Sequence, residues 1–160
     1  DLLAMGRPEG QGCYCAANHM LRNIIDGINR GYDWVIMDNE AGMEHLSRMN
    51  LRKIDYLLIV SDPSSRGILT ARRIADITEP LQLQVGKRFM LVNRAPDPIP
   101  EALQEKIDHA VSEAGLPLAG IISASNDLIT QELHGRSYLQ LPADCPVVRQ
   151  AYAIFDKIFA

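Results

Sequence analysis

Four short apolar runs punctuate the chain: Trp34 to Met37, Tyr56 to Val60, Phe89 to Val92 and Ala119 to Ile122. Each run is unbroken rather than alternating. Unbroken runs of this length suit strands of a parallel sheet that is covered on both faces. Helical spacing takes over between them. Ile68, Leu69, Ala71, Ile74, Ala75 and Ile77 recur with helical periodicity and stop before Pro80. Leu103, Ile107, Ala110, Val111 and Ala114 follow Pro98 and Pro100 and stop before Gly115. Residues 16–30 carry Ala17, Met20, Leu21, Ile24, Ile25 and Ile28 and end at Gly31. The tail from Val147 to Phe159 has a broad stripe of Val148, Ala151, Tyr152, Phe155 and Phe159. Proline before a helix and glycine after it are the expected punctuation. Strand and helix in alternation predict a doubly wound α/β domain, with a mainly parallel sheet flanked by helices. No repeat or linker interrupts the pattern, so residues 1–160 read as a single α/β domain.

Every apolar run exits into polar residues. The first leads to Asp38-Asn39-Glu40-Ala41-Gly42 and the second to Ser61-Asp62-Pro63-Ser64. The third leads to Asn93-Arg94 and the fourth to Ser123-Ala124-Ser125-Asn126-Asp127. Ligands of open α/β sheets bind beyond the carboxyl ends of the strands. Any single tip is adequately explained by turns and helix caps. Four tips on one edge instead predict a polar crevice. Asp38, after an apolar strand and shortly before Gly42, has the Walker B arrangement, in which a carboxylate holds Mg²⁺ and glycine admits a phosphate. Asn93 carries an amide that both donates and accepts, which suits the edge of an adenine. Taken alone, a turn is the simpler reading.

Composition narrows the class without choosing a function. Apolar residues make up 47% of the chain and charged residues 22%, as in ordinary globular domains. The net charge of -4 and the lack of a long basic run argue against nucleic acid and anionic membranes as partners. No stretch reaches the ~18 apolar residues of a membrane-spanning helix. Three cysteines make no disulfide framework, and a reducing cytoplasmic setting is the simpler expectation.

Two of those cysteines form the most unusual local pattern. Cys13 and Cys15 follow the glycine-rich stretch Pro8-Glu9-Gly10-Gln11-Gly12. Side chains two apart diverge on a regular helix or strand, so joint chelation needs a bend. A structural zinc site takes four ligands, and two thiolates per chain would complete it across the twofold axis of a homodimer. The competing reading is two buried cysteines acting as small hydrophobes. On the residues alone the two readings stand level. Nothing in the spacing recruits Cys145.

The segments Gly6-Arg7-Pro8-Glu9-Gly10-Gln11-Gly12-Cys13-Tyr14-Cys15, Asp33-Trp34-Val35-Ile36-Met37-Asp38-Asn39-Glu40-Ala41-Gly42, Val60-Ser61-Asp62-Pro63-Ser64 and Leu91-Val92-Asn93-Arg94 together carry a resemblance. The chain resembles the CooC-like accessory ATPases of carbon monoxide dehydrogenase, within the MinD/ParA group of P-loop proteins. The resemblance implies ATP or ADP with Mg²⁺ as ligands and a homodimer as the working form. It implies hydrolysis coupled to nickel insertion, with the nickel-containing carbon monoxide dehydrogenase as client. Asp38 would be the Walker B carboxylate, residues 38–48 would form the second switch, and Glu40 and Gly42 would help bind the nucleotide. Asn93 would contact adenine with Arg94 beside it. Cys13 and Cys15 would bind Zn²⁺ or Ni²⁺ between protomers.

One departure is concrete. The family opens with a glycine-rich Walker A loop bearing a signature lysine, yet no G-x-x-x-x-G-K-[ST] occurs in these residues. Residues 1–160 are therefore read as the part of a P-loop ATPase domain that follows that loop. Without its backbone N–H cradle, this chain alone is expected neither to bind ATP tightly nor to hydrolyse it. Two other readings compete: a MinD- or ParA-type positioning ATPase, and a metal-binding dimerisation module that works without nucleotide. The tail offers only Arg149 and Lys157 as basic residues, which weighs against a membrane-targeting helix.

Overall fold

Parallel pairing decides the architecture. The computed structural model describes Leu2, Gly27 and residues 31–39, 53–78 and 84–160. The chain divides into two compact units, Asp1–Arg52 and Lys53–Ala160. The second unit holds three strands, β1 (Lys53–Ser61), β2 (Gln84–Ala95) and β3 (Leu118–Ser123). They form one sheet in the order β1-β2-β3, and both pairings are parallel. Helix α1 (Ser65–Ile77) joins β1 to β2, and α2 (Glu101–Ala114) joins β2 to β3. Helix α3 (Asn126–Leu133), a short 3-10 turn (Tyr138–Gln140) and α4 (Pro146–Phe159) complete the unit.

Both faces of β2 and β3 are covered, as the unbroken runs require, whereas Val60 of the edge strand β1 stays 56% exposed. Ile59, Met90, Val92 and Ala95 share one core with Ile68, Ala71 and Ala75 of α1 and Leu103, Ile107 and Ala110 of α2. Leu91, Ala119 and Ile122 share the other with Val147, Ile154 and Ile158 of α4. Alternation along β2 sends Met90 and Val92 to one core and Leu91 to the other.

The helix ends follow local chemistry. Ser64 caps α1, its Oγ accepting from the Gly67 N–H at 3.0 Å. At the other end, Arg88 of β2 donates to Ala75 O (3.2 Å) and to Thr78 Oγ1 (2.9 Å). A guanidinium thereby occupies the carbonyl-rich end of the helix, where positive charge is favoured. Helix α2 stops at Gly115, whose φ of 54° is the left-handed conformation glycine adopts without penalty. Pro146 opens α4.

One expected strand does not form. Residues 31–39 carry no strand, and Trp34 (60% exposed) and Ile36 (90% exposed) lie largely in solvent. An apolar run becomes a strand only where a neighbour supplies its ladder of hydrogen bonds. The sheet that is described consists of β1, β2 and β3 alone. The helix expected over residues 16–30 falls outside the described residues except at Gly27, which is helical.

Candidate functional site

Parallel strands deliver their carboxyl ends to one edge. The register pairs Ser61 of β1 with Val92 of β2, and Ala95 of β2 with Ser123 of β3. Three of the four polar tips expected from the sequence therefore share a rim: Ser61–Ser64, Asn93–Arg94 and Ser123–Asp127.

The first tip is a tightly wound turn into α1. Asp62 Oδ1 accepts from the Ser64 N–H at 2.9 Å and from the Ser64 hydroxyl at 2.5 Å. A side chain at Gly67 would crowd this turn. A Cβ at this position would overlap Asp62 Oδ1 and sit 2.8 Å from Ser61 Oγ and 3.0 Å from Asp62 O. The Ser64 hydroxyl, and then the Ser64 N–H, hold the Asp62 carboxyl below its ordinary value of 3.8. A carboxyl depressed by folding contributes stability above its unfolded pKa and loses it as pH falls through the folded value. Protection of the Gly67 amide, corrected for the pH dependence of intrinsic exchange, is accordingly expected to fall as pH drops below 3.8. Asp62→Asn is expected to flatten that dependence in pH-stepped NMR exchange. An unchanged dependence in the variant would assign it to another group.

The second tip is a bulge. The β2–β3 ladder pairs Val92 with Ile121 and then Ala95 with Ser123, so Asn93 and Arg94 together stand against Ile122. Arg94 has φ 60°, a left-handed conformation that a non-glycine residue holds only when its surroundings compel it. Asn93 supplies part of that compulsion, because its Oδ1 accepts from the Arg94 N–H at 2.9 Å. That oxygen keeps a second lone pair and the amide keeps its NH₂ donors, so the group can still both accept and donate.

The third tip is tied to the second. The Ala124 N–H donates to Ala95 O at 2.8 Å. Gln150 of α4 grips Ser123 twice: Oε1 accepts from the backbone N–H at 2.9 Å, and Nε2 donates to Oγ at 3.1 Å. Ser125 then caps α3, accepting from the Leu128 N–H. Sequence reasoning found neither Gln150 nor α3. The Ser125-Asn126-Asp127 signal was present but reads equally as a turn.

Asp38 is exposed and belongs to the unit Asp1–Arg52, whereas Asn93 and Arg94 belong to the other. Glu40, Gly42, Cys13 and Cys15 fall outside the described residues. Among the described residues no cluster of three or more His, Cys, Asp or Glu side chains is placed to hold a metal ion. Cys145 is buried, free, and donates to Asp127 Oδ2 at 3.5 Å. It lines an open cavity of about 350 Å³ under α3, together with Thr130, Gln131, Arg136 and Leu141. Among the described residues no helix is long and apolar enough to cross a membrane.

Comparison with known proteins agrees with this layout. The cell division ATPase MinD of Pyrococcus furiosus superposes with a TM-score of 0.66 at 16% sequence identity, over 88% of this chain and 57% of that one. This is the fold of MinD. MinD of Aquifex aeolicus matches similarly, with a TM-score of 0.60 at 20% identity over 88% of this chain and 58% of that one. Three parallel strands of a MinD-type sheet, with helices on both faces, thus account for the common rim. No protein-family model matches the chain. In sequence it is 37% identical over 158 residues to an uncharacterized ATP-binding protein of Methanocaldococcus jannaschii, covering 99% of this chain and 61% of that protein. The carbon monoxide dehydrogenase accessory protein CooC of Rhodospirillum rubrum is 34% identical over 86 residues, 52% of this chain and 33% of that protein. The chain spans about three-fifths of the length of the Methanocaldococcus protein.

Proposed function

We propose that this chain forms part of a MinD/ParA-type ATP-binding domain, and that the protein assists nickel insertion into carbon monoxide dehydrogenase. The observation that carries the nucleotide reading is the rim on the MinD fold. Asn93 and Arg94 are bulged out of the ladder at the carboxyl edge of a parallel sheet, where such folds bind ligands. Likeness to a protein described as ATP-binding supports the same reading. In this reading the two compact units belong to one ATPase domain. Asp38 holds Mg²⁺, Glu40 and Gly42 lie in the second switch, and Asn93 and Arg94 face adenine.

The nickel reading rests on the Cys13-Tyr14-Cys15 element and on partial likeness to CooC. Two thiolates from each of two protomers make a four-sulfur site suited to Zn²⁺ or Ni²⁺. Metal analysis of the purified protein tests it against the double variant Cys13→Ser, Cys15→Ser. About one ion per dimer is expected in the wild type, from four thiolates shared by two chains, and none in the variant. Metal absent from both proteins would instead favour a positioning ATPase of the MinD kind.

A further inference from the structure

We propose that Gln150 is a positioning residue for the base-binding rim, an inference that rests on the nucleotide reading above. Helix α4 seats on the sheet through Val147, Ile154 and Ile158. Gln150 lies on the same helical face, three residues after Val147 and four before Ile154. A polar side chain on a packed face costs stability unless both of its ends are paired. Both ends are paired here, and to one residue: Ser123, through its N–H and its hydroxyl. Two bonds from one planar amide fix Ser123 against sliding as well as against rotation.

Ser123 ends β3, and the next residue donates to Ala95 O. Ala95 closes the bulge that holds Asn93 and left-handed Arg94. A continuous route therefore runs from Gln150 through Ser123, Ala124 and Ala95 to the residues assigned to the base. The bulge is held on one side by the Val92–Ile121 pair and on the other by a strand end that Gln150 pins. Removing the clasp leaves the Ser123 N–H short of an acceptor and frees that second anchor. Gln150 touches no ligand in this scheme; it sets the geometry of the residues that do.

Adenosine is the appropriate probe, because it lacks phosphates and does not call on a phosphate-binding loop. Titration of the labelled 160-residue chain, followed by amide NMR, is expected to shift Asn93 and Arg94 saturably. Gln150→Leu, which fits an apolar face, removes both bonds to Ser123 and is expected to weaken adenosine binding about tenfold, roughly the net worth of one neutral hydrogen bond. Gln150→Glu is expected to restore it, since a carboxylate can accept from both the N–H and the hydroxyl of Ser123. Glu keeps the shape of Gln, so Ser123→Ala, which leaves the packing of Gln150 intact, separates the hydrogen bonds from packing.

If the wild type shows no saturable shift, the base-binding reading fails and this proposal fails with it. If the wild type binds and Gln150→Leu binds equally well, this proposal alone is overturned. A loss in Gln150→Glu as large as in Gln150→Leu overturns it too. Should Gln150→Leu fail to fold, Ser123→Ala removes only the hydroxyl arm and is expected to weaken binding by a smaller factor. Wild-type affinity in that variant then counts against the proposal.

Discussion

Ile107→Ala is expected to remove about 2–5 kcal/mol of folding stability, the range for truncating a buried Ile or Leu. Ile107 is 0% exposed and lies in the core that joins α2 to β2 through Met90 and Val92. Truncation forfeits the burial of three carbons and opens a void whose walls are held by strands on one side and helices on the other. The sheet cannot close on that void without breaking its ladder, which places the loss in the upper half of the range. Urea unfolding should show a lower midpoint with an unchanged slope, because the surface exposed on unfolding scarcely changes. Glu105→Ala on the exposed side of the same helix should stay within about 0.5 kcal/mol of the wild type. A loss for Ile107→Ala as small as that control would mean that α2 does not close the core.

That core was legible in the sequence because its evidence is local. Tyr56–Val60, Phe89–Val92 and Ala119–Ile122 are apolar on both faces, and strands covered on both sides read that way. Gly115 announced the end of α2 for the same reason: one residue type answers one backbone angle. Features that depend on register were not legible. The left-handed Arg94 follows from which residue of β3 pairs with Ala95, and nothing near Arg94 in the sequence states that partner. Gln150 meets its partner 27 positions away, so in the tail it looked like another polar residue between apolar ones. Helix α3 hid because none of its residues is buried, so no apolar stripe marks it. At Trp34–Met37 the limit was the reverse: apolarity is written in the chain, but pairing is not.

Substituting Gly120 should damage fold and rim together. A Cβ at this position of β3 would lie 2.5 Å from Ile154 Cγ1 and 2.7 Å from Cδ1, inside van der Waals contact. Glycine is thus the reason that α4 can pack so closely on β3. Gly120→Val is expected to cost about 3 kcal/mol, the upper end for overpacking a filled core. The helix must move outward to make room, and it carries Gln150 away from Ser123 as it does so. Exchange of the Ser123 amide should therefore accelerate by more than the global loss of stability explains. A second substitution separates crowding from any other fault. Ile154→Ala alone is expected to cost about 2–5 kcal/mol by leaving a cavity. In that background the Gly120→Ala change should become neutral or stabilising, because the cavity accepts the new methyl and alanine costs less backbone entropy than glycine, by roughly 0.5–1 kcal/mol. The double-mutant cycle built from Gly120→Ala, Ile154→Ala and their combination then gives a coupling of about 0.5–3 kcal/mol with the sign of mutual relief, as expected for residues in contact. Strict additivity would show that Gly120 and Ile154 do not meet. The seating of α4, and with it the grip of Gln150 on the rim, would then need another cause.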